Sequence, residues 1–75
     1  MEFQIKLNSV EDAVTLVNRL EHYDCHADAL VDNRVINARA LMGLLEFGIG
    51  RMIQIVIYSE LQENDKKELY GLLTA

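Results

Sequence analysis

The sequence predicts an α+β fold, a two-layer open-faced sandwich in which three helices cover one face of a four-stranded, mainly antiparallel sheet. Apolar and polar residues alternate along residues 3–8 and 25–32, which is typical of strands with one buried face. Residues 10–22 instead repeat their apolar positions at helical spacing. Read in chain order the segments give βαββαβα, and helices that connect such strands pack on one side of the sheet.

The first strand is predicted over residues 3–8, with Phe3, Ile5 and Leu7 facing the core. A helix follows over residues 10–22. Ser9 is a favourable N-cap for it, and acidic residues in its first turn suit the helix dipole. The core-facing residues of this helix are Ala13, Leu16, Val17, Leu20 and Tyr23.

The middle of the chain is predicted to form a hairpin. Its first strand covers residues 25–32, and the inward positions are Cys25, Ala27, Ala29 and Val31. Asp32 and Asn33 tolerate a positive φ and are expected to form a tight turn into a short strand over residues 34–36.

A short helix is predicted over residues 38–47, with Asn37 as its N-cap and Gly48 in the left-handed conformation at its end. Residues 52–58 form a mostly apolar run of strand length and are taken as the fourth strand. Asn64 or Ser59 is expected to cap the last helix. Its buried stripe is predicted to be Leu69, Leu72 and Leu73.

Size and composition restrict the class of protein. The 75 residues suffice for one core, so a single domain is expected over residues 1–75. A net charge of −5 disfavours nucleic-acid phosphates as a partner. No stretch approaches the roughly 20 apolar residues of a membrane span. The N-terminus lacks a basic and then apolar export signal, so we expect a cytoplasmic protein that does not bind membranes.

No metal or cofactor site is predicted. Cys25 is the only cysteine and cannot form an internal disulfide. His22 and His26 are close to it in sequence, but consecutive residues of a strand point to opposite faces of the sheet. A buried thiol and two surface imidazoles therefore account for these residues.

Residues 35–50, VINARALMGLLEFGIG, closely resemble the segment VNAKSLMGLLSLGIG of the HPr family. HPr is the small phosphocarrier of the bacterial sugar phosphotransferase system. The matching segment covers about a fifth of the chain, and the order of strands and helices matches over nearly all of it. The resemblance implies the HPr-like fold.

The resemblance also implies where a phosphoryl group would be carried, and the chain departs from the family there. The family's acceptor is a histidine at the start of the first helix, followed by an arginine. The matching position here is Val10, or Ser9 with a one-residue slip, and Asp12 matches the arginine. Valine has no nucleophile, and carboxylates repel an incoming phosphoryl group. Ser9 has no neighbouring base and is better explained as the N-cap.

The family's second switch is a serine that HPr kinase phosphorylates in many Gram-positive bacteria. The matching position is Ala40, which has no hydroxyl to modify. A relative, the catabolite-repression HPr-like protein, lacks the histidine but keeps this serine. The chain departs from both patterns.

The short helix has more apolar residues than it can bury on one side. In HPr relatives some matching positions dock partner proteins. We expect Leu41 and Leu44 to be mostly core. The expected partner-binding residues are Arg39, which would lie on this helix at the rim, and the partly exposed Met42, Leu45 and Phe47. A purely structural role for all the apolar residues stays open.

The preferred interpretation is an HPr-like domain that is not an enzyme, is not phosphorylated and acts as a protein-binding or regulatory module. Its partners would be enzymes of the phosphotransferase system or a regulator. One alternative is an active phosphocarrier with a relocated acceptor at His22, His26 or Ser9. Another is an interaction or oligomerisation domain of an unrelated pathway.

Overall fold

The structure, a computed structural model, describes residues 1–58 and 60–74, without the side chains of residues 72–74. The capping role predicted for Ser59 and the burial predicted for Leu72 and Leu73 lie outside what it describes. The elements follow the predicted order and are β1 Glu2–Lys6, α1 Val10–His22, β2 Ala27–Val31, β3 Arg34–Asn37, α2 Leu41–Phe47, β4 Met52–Ile57 and α3 Glu63–Thr74.

The four strands form one sheet in the order β1-β4-β2-β3, and every strand pairing is antiparallel. The register places the buried side chains on one face, because Phe3 pairs with Ile55 and Ile55 pairs with Ala29. Polar and half-exposed residues alternate with them on the other face. The predicted α+β open-faced sandwich is therefore confirmed.

The core lies between this buried face and the helices. Four of the five core-facing residues predicted for the first helix are buried, namely Ala13, Leu16, Val17 and Leu20. The fifth, Tyr23, is the C-cap and is half-buried against the core. Leu44 of α2 and Leu69 of α3 are also fully buried. Each fully buried leucine or isoleucine contributes about 1.5–3 kcal/mol by leaving water, and this burial holds the helices on the sheet.

The start of α2 differs from the prediction. Asn37 is not an N-cap, because it still belongs to β3 and pairs with Asp28 of β2. Its carbonyl accepts from the Ala40 amide at 2.9 Å, and its Oδ1 accepts from the Arg39 amide at 2.9 Å. These bonds form a turn between the strand and the helix, so α2 begins at Leu41, three residues later than predicted.

The end of α2 also differs. Gly48 has right-handed φ and ψ of −105° and −22°, and the positive φ of 81° belongs to Gly50. A Cβ at Gly48 would lie 2.9 Å from the Leu44 carbonyl oxygen, so close packing and not handedness excludes a side chain there. In α3, Asn64 is the second helical residue and not the N-cap, because the helix already begins at Glu63.

Candidate functional site

The N-terminal tip of α1, residues 8–12, is the position that the sequence analysis singled out. Ser9 has the extended backbone of an N-cap, and its Oγ accepts from the Asp12 amide at 3.3 Å. The Asp12 Oδ2 in turn accepts from the Asn8 amide at 2.9 Å. The predicted capping role of Ser9 is confirmed, and Asp12 closes a reciprocal arrangement resembling a capping box.

Val10 is the first residue of α1, and 56% of it is exposed. Glu11 and Asp12, also exposed, follow it in the first turn. The tip therefore offers a ligand a hydrocarbon side chain, two carboxylates and a hydroxyl already used as a cap. None of these groups has the neutral ring nitrogen that makes an imidazole a nucleophile near neutral pH.

The exit of α2 is held beside this tip. The Gly50 amide donates to the Leu7 carbonyl at 2.6 Å, and Leu7 forms a parallel bridge with Ile49. The positive φ of Gly50 lets the chain turn at this point without a Cβ penalty. The segment after α2 and the segment before α1 are thus joined through their backbones.

The histidines lie away from the tip. His22 is the last residue of α1, which puts it about 18 Å along the helix axis from Val10 at 1.5 Å per residue. It is exposed, and its ring meets Tyr23 edge-on at 4.9 Å. His26 comes four residues after the C-terminus of α1 and is also exposed. Its backbone carbonyl accepts a hydrogen bond from the Tyr58 amide. Neither imidazole is brought to the α1 tip.

The predicted partner-binding residues of α2 are all at least partly exposed. Met42 is 76% exposed, whereas Leu45 and Phe47 are half-buried. Leu44 is fully buried, in agreement with the prediction, and Leu41 is half-buried against the core. We call Met42, Leu45 and Phe47 the α2 surface.

Phe47 has a partner that the sequence analysis missed. The Arg34 guanidinium carbon lies 4.2 Å from the centre of its ring, in the geometry of a cation–π contact. Arg34 pairs in register with the buried Val31, so its side chain emerges on the helix side of edge strand β3. The strand alternation that places Arg34 on this side could be predicted from the sequence, but its contact with Phe47 could not, because that depends on where α2 lies.

Arg39 is not on α2, as the sequence analysis expected, because it lies in the turn that precedes the helix. Its Nη1 is 3.4 Å from the Asp24 Oδ1 and 3.4 Å from the Cys25 carbonyl oxygen. The guanidinium therefore ties this turn to the segment after α1 instead of forming the rim of the α2 surface.

Ala40 occupies the N-cap position of α2 and is exposed. With only a methyl group it makes no side-chain capping hydrogen bond and presents nothing that a kinase could modify. The position is accessible, but alanine has no hydroxyl group that could accept a phosphoryl group.

Cys25 is fully buried, as predicted. Burial raises the pKa of its thiol, and the nearby Arg39 opposes that rise. Within residues 1–58 and 60–74 no group of three or more histidine, cysteine or carboxylate side chains is arranged to hold a metal. In the same part of the chain, no helix has both the length and the apolar character needed to cross a membrane.

Comparison with solved structures identifies the class of fold. HPr-C-His from Thermoanaerobacter tengcongensis matches with a TM-score of 0.72 at 19% identity, over 97% of this chain and 90% of that one. A phosphocarrier protein HPr from Bacillus anthracis str. Ames matches with a TM-score of 0.68 at 17% identity, over 99% and 96%.

No family model and no curated protein matches the chain. The structural likeness nevertheless extends over nearly the whole chain. The chain therefore has the fold of the HPr phosphocarrier proteins, and the resemblance seen in residues 35–50 is confirmed at the level of the fold.

Proposed function

We propose that this chain is a cytoplasmic HPr-like module that binds protein partners and is not itself phosphorylated. It is neither an enzyme nor a nucleic-acid or membrane-binding protein in this proposal. One observation carries the proposal. The first turn of α1 holds an exposed Val10 beside two carboxylates, and the hydroxyl group next to it, that of Ser9, serves as the N-cap.

The phosphate chemistry of this tip argues against transfer. A carrier needs a nucleophile that is neutral at cellular pH and a positive environment for the phosphoryl group. Val10 supplies no lone pair, and the Asp12 carboxylate lies against the backbone of the same tip. The positive end of the helix dipole is therefore offset by acidic side chains.

The docking side of the proposal rests on α2. A single exposed apolar side chain such as Met42 is common on protein surfaces and needs no explanation by itself. Together with Leu45 and Phe47, however, Met42 offers a partner an adaptable apolar contact. The two solved neighbours are HPr proteins, one of them named as a phosphocarrier. Enzymes of the phosphotransferase system are accordingly the partners we propose.

The proposal is tested by titrating the isotopically labelled chain with purified enzyme I and phosphoenolpyruvate and recording amide spectra and intact mass together. We expect amide shifts centred on residues 40–49 and no gain of a phosphoryl group. The matched variant Met42→Lys should reduce the shifts and keep the fold, because an exposed side chain accepts a charge at little cost in stability.

Two results would overturn parts of the proposal separately. A stoichiometric gain in mass would show a working carrier, and the variants His22→Gln, His26→Gln and Ser9→Ala would then locate the acceptor. Unchanged amide spectra with enzyme I and with the sugar-specific enzymes would remove the phosphotransferase system as the source of partners. Unfolding of Met42→Lys would show that α2 has no free docking surface.

A further inference from the structure

The open face of the sheet, opposite the helices, carries no element of the described chain. It is formed by the outward residues of the four strands, namely Glu2, Gln4, Lys6, Asp28, Leu30, Val35, Asn37, Met52, Gln54 and Val56. Val35 is 69% exposed and Met52 is 60% exposed, which is high for apolar residues on a sheet.

The strand register arranges this face in a regular way. Gln4 pairs with Gln54, Gln54 with Leu30, and Leu30 with Val35, so these four residues form one straight row across the sheet. On β1, Glu2 and Lys6 lie two residues to either side of this row. On β4, Val56 and Met52 lie at the same levels as Glu2 and Lys6.

We propose that the open face is a homodimer interface, in which two copies of the chain pack face to face about a two-fold axis along this central row. Such an axis places each strand over the equivalent strand of the second copy, with the two running in opposite directions. Glu2 then faces Lys6 of the second copy, twice over, and Val56 faces Met52 twice over. Leu30 and Val35 meet their own counterparts at the centre. A two-fold interface requires this kind of self-complementarity.

The charges of the face favour a second copy as the occupant. The open face carries two carboxylates and one ammonium group, hence one net negative charge, out of five for the whole chain. Contact through any other side would bring the more acidic surfaces together. Within residues 1–58 and 60–74, Lys6 takes part in no ion pair, whereas the Gln54 amide holds the Glu2 carboxylate at 3.2 Å.

The remaining acidic residue of the face does not oppose this arrangement. Asp28 would lie over the turn between β2 and β3 of the second copy, where the Asp32 carboxylate is on the helix side near Phe47 and is paired with Arg51. Asp28 also accepts a hydrogen bond from the Tyr58 hydroxyl of its own chain. The charged contact that the two-fold axis creates between the copies is therefore the favourable one between Glu2 and Lys6.

The size of the face sets the strength expected of the dimer. Four strands about 4.8 Å apart and five residues long cover roughly 14 by 17 Å. An interface of this size falls below the ~1,200 Å² of total buried area that is common in stable complexes. A weak dimer that dissociates in the micromolar to millimolar range is expected.

Sedimentation equilibrium of the full chain from about 10 μM to 1 mM tests the interface. We expect a monomer–dimer equilibrium that Lys6→Glu and Glu2→Lys each weaken by about tenfold, since each creates two like-charge contacts. The double swap of both residues should restore the wild-type constant. Val35→Lys should weaken the dimer, and Met42→Lys on the helix side should leave it unchanged.

A chain that stays monomeric throughout this range would overturn the proposal. So would a dimer that ignores the single charge reversals, or one that the double swap fails to restore. Loss of the dimer in Met42→Lys would place the interface on the helix side instead. All four substituted positions are exposed, and circular dichroism of each variant separates lost association from lost fold.

Discussion

Ser9 determines how α1 begins and, with it, what the tip of that helix can do. Its hydroxyl accepts from the Asp12 amide, and the Asp12 carboxylate accepts from the Asn8 amide. Both side chains therefore serve the backbone of their own turn. A carrier site at the same place would leave the helix amides to a phosphate. At the scale of single residues, the side chains of the tip cap the start of the helix.

The Ser9 cap is expected to make a measurable contribution to the stability of the fold. Ser9→Ala should lower the free energy of unfolding by about 1 kcal/mol, because the Asp12 amide loses its acceptor. Urea denaturation measures the change, and Ser9→Thr is the matched control that keeps the hydroxyl. Equal stability of all three chains would contradict the assignment of Ser9 as a structural cap.

Sequence reasoning succeeded where a residue's local chemistry decides its place and failed where a neighbour decides it. The bounds of α1 followed from the Ser9 cap and the apolar spacing. Asn37 looked like a cap, but the pairing with Asp28 extends β3 through it. The position of Arg39 against Asp24 needed two segments that only the tertiary fold brings together.

At the scale of the element, α2 is fixed to the sheet by close approach. A Cβ at Gly43 would lie 2.8 Å from the Ile36 Cγ2 of edge strand β3. That methyl group is attached directly to the Cβ of Ile36, so it moves only if the restricted χ1 rotamer of this β-branched residue changes or the strand shifts. Gly43 therefore lets α2 lie against β3 and sets where the α2 surface emerges.

Two glycine variants separate packing from helix propensity. Gly43→Ala should destabilise the chain by about 1–2 kcal/mol, because the added methyl group overpacks the contact with Ile36. Gly71→Ala adds the same group to α3, where no atom lies within 4 Å, and should stabilise by up to about 1 kcal/mol. Thermal unfolding measures both. Stabilisation by both substitutions would contradict the close approach of α2 to β3.

At the scale of the whole molecule, the fold and the site differ in how far the sequence predicts them. The fold follows from periodicity and from residues 35–50, and the HPr structures match it over nearly the full chain. By resemblance, Val10 and Asp12 stand where the family has its histidine and arginine, and Ala40 where it has its regulatory serine; that the chain accepts no phosphoryl group stays a prediction. The open sheet face was not recognised, because its straight row appears only when the strand order β1-β4-β2-β3 is known.

In the function proposed here, the residues at the α1 tip, and not the fold, prevent phosphoryl transfer. Its most direct test is intact-mass measurement after incubation with enzyme I and phosphoenolpyruvate, comparing the wild-type chain with the double variant Val10→His, Asp12→Arg. We expect an unchanged mass for the wild type and one phosphoryl group on the introduced imidazole of the variant. A wild-type chain that gains a phosphoryl group as readily as the variant would contradict this expectation.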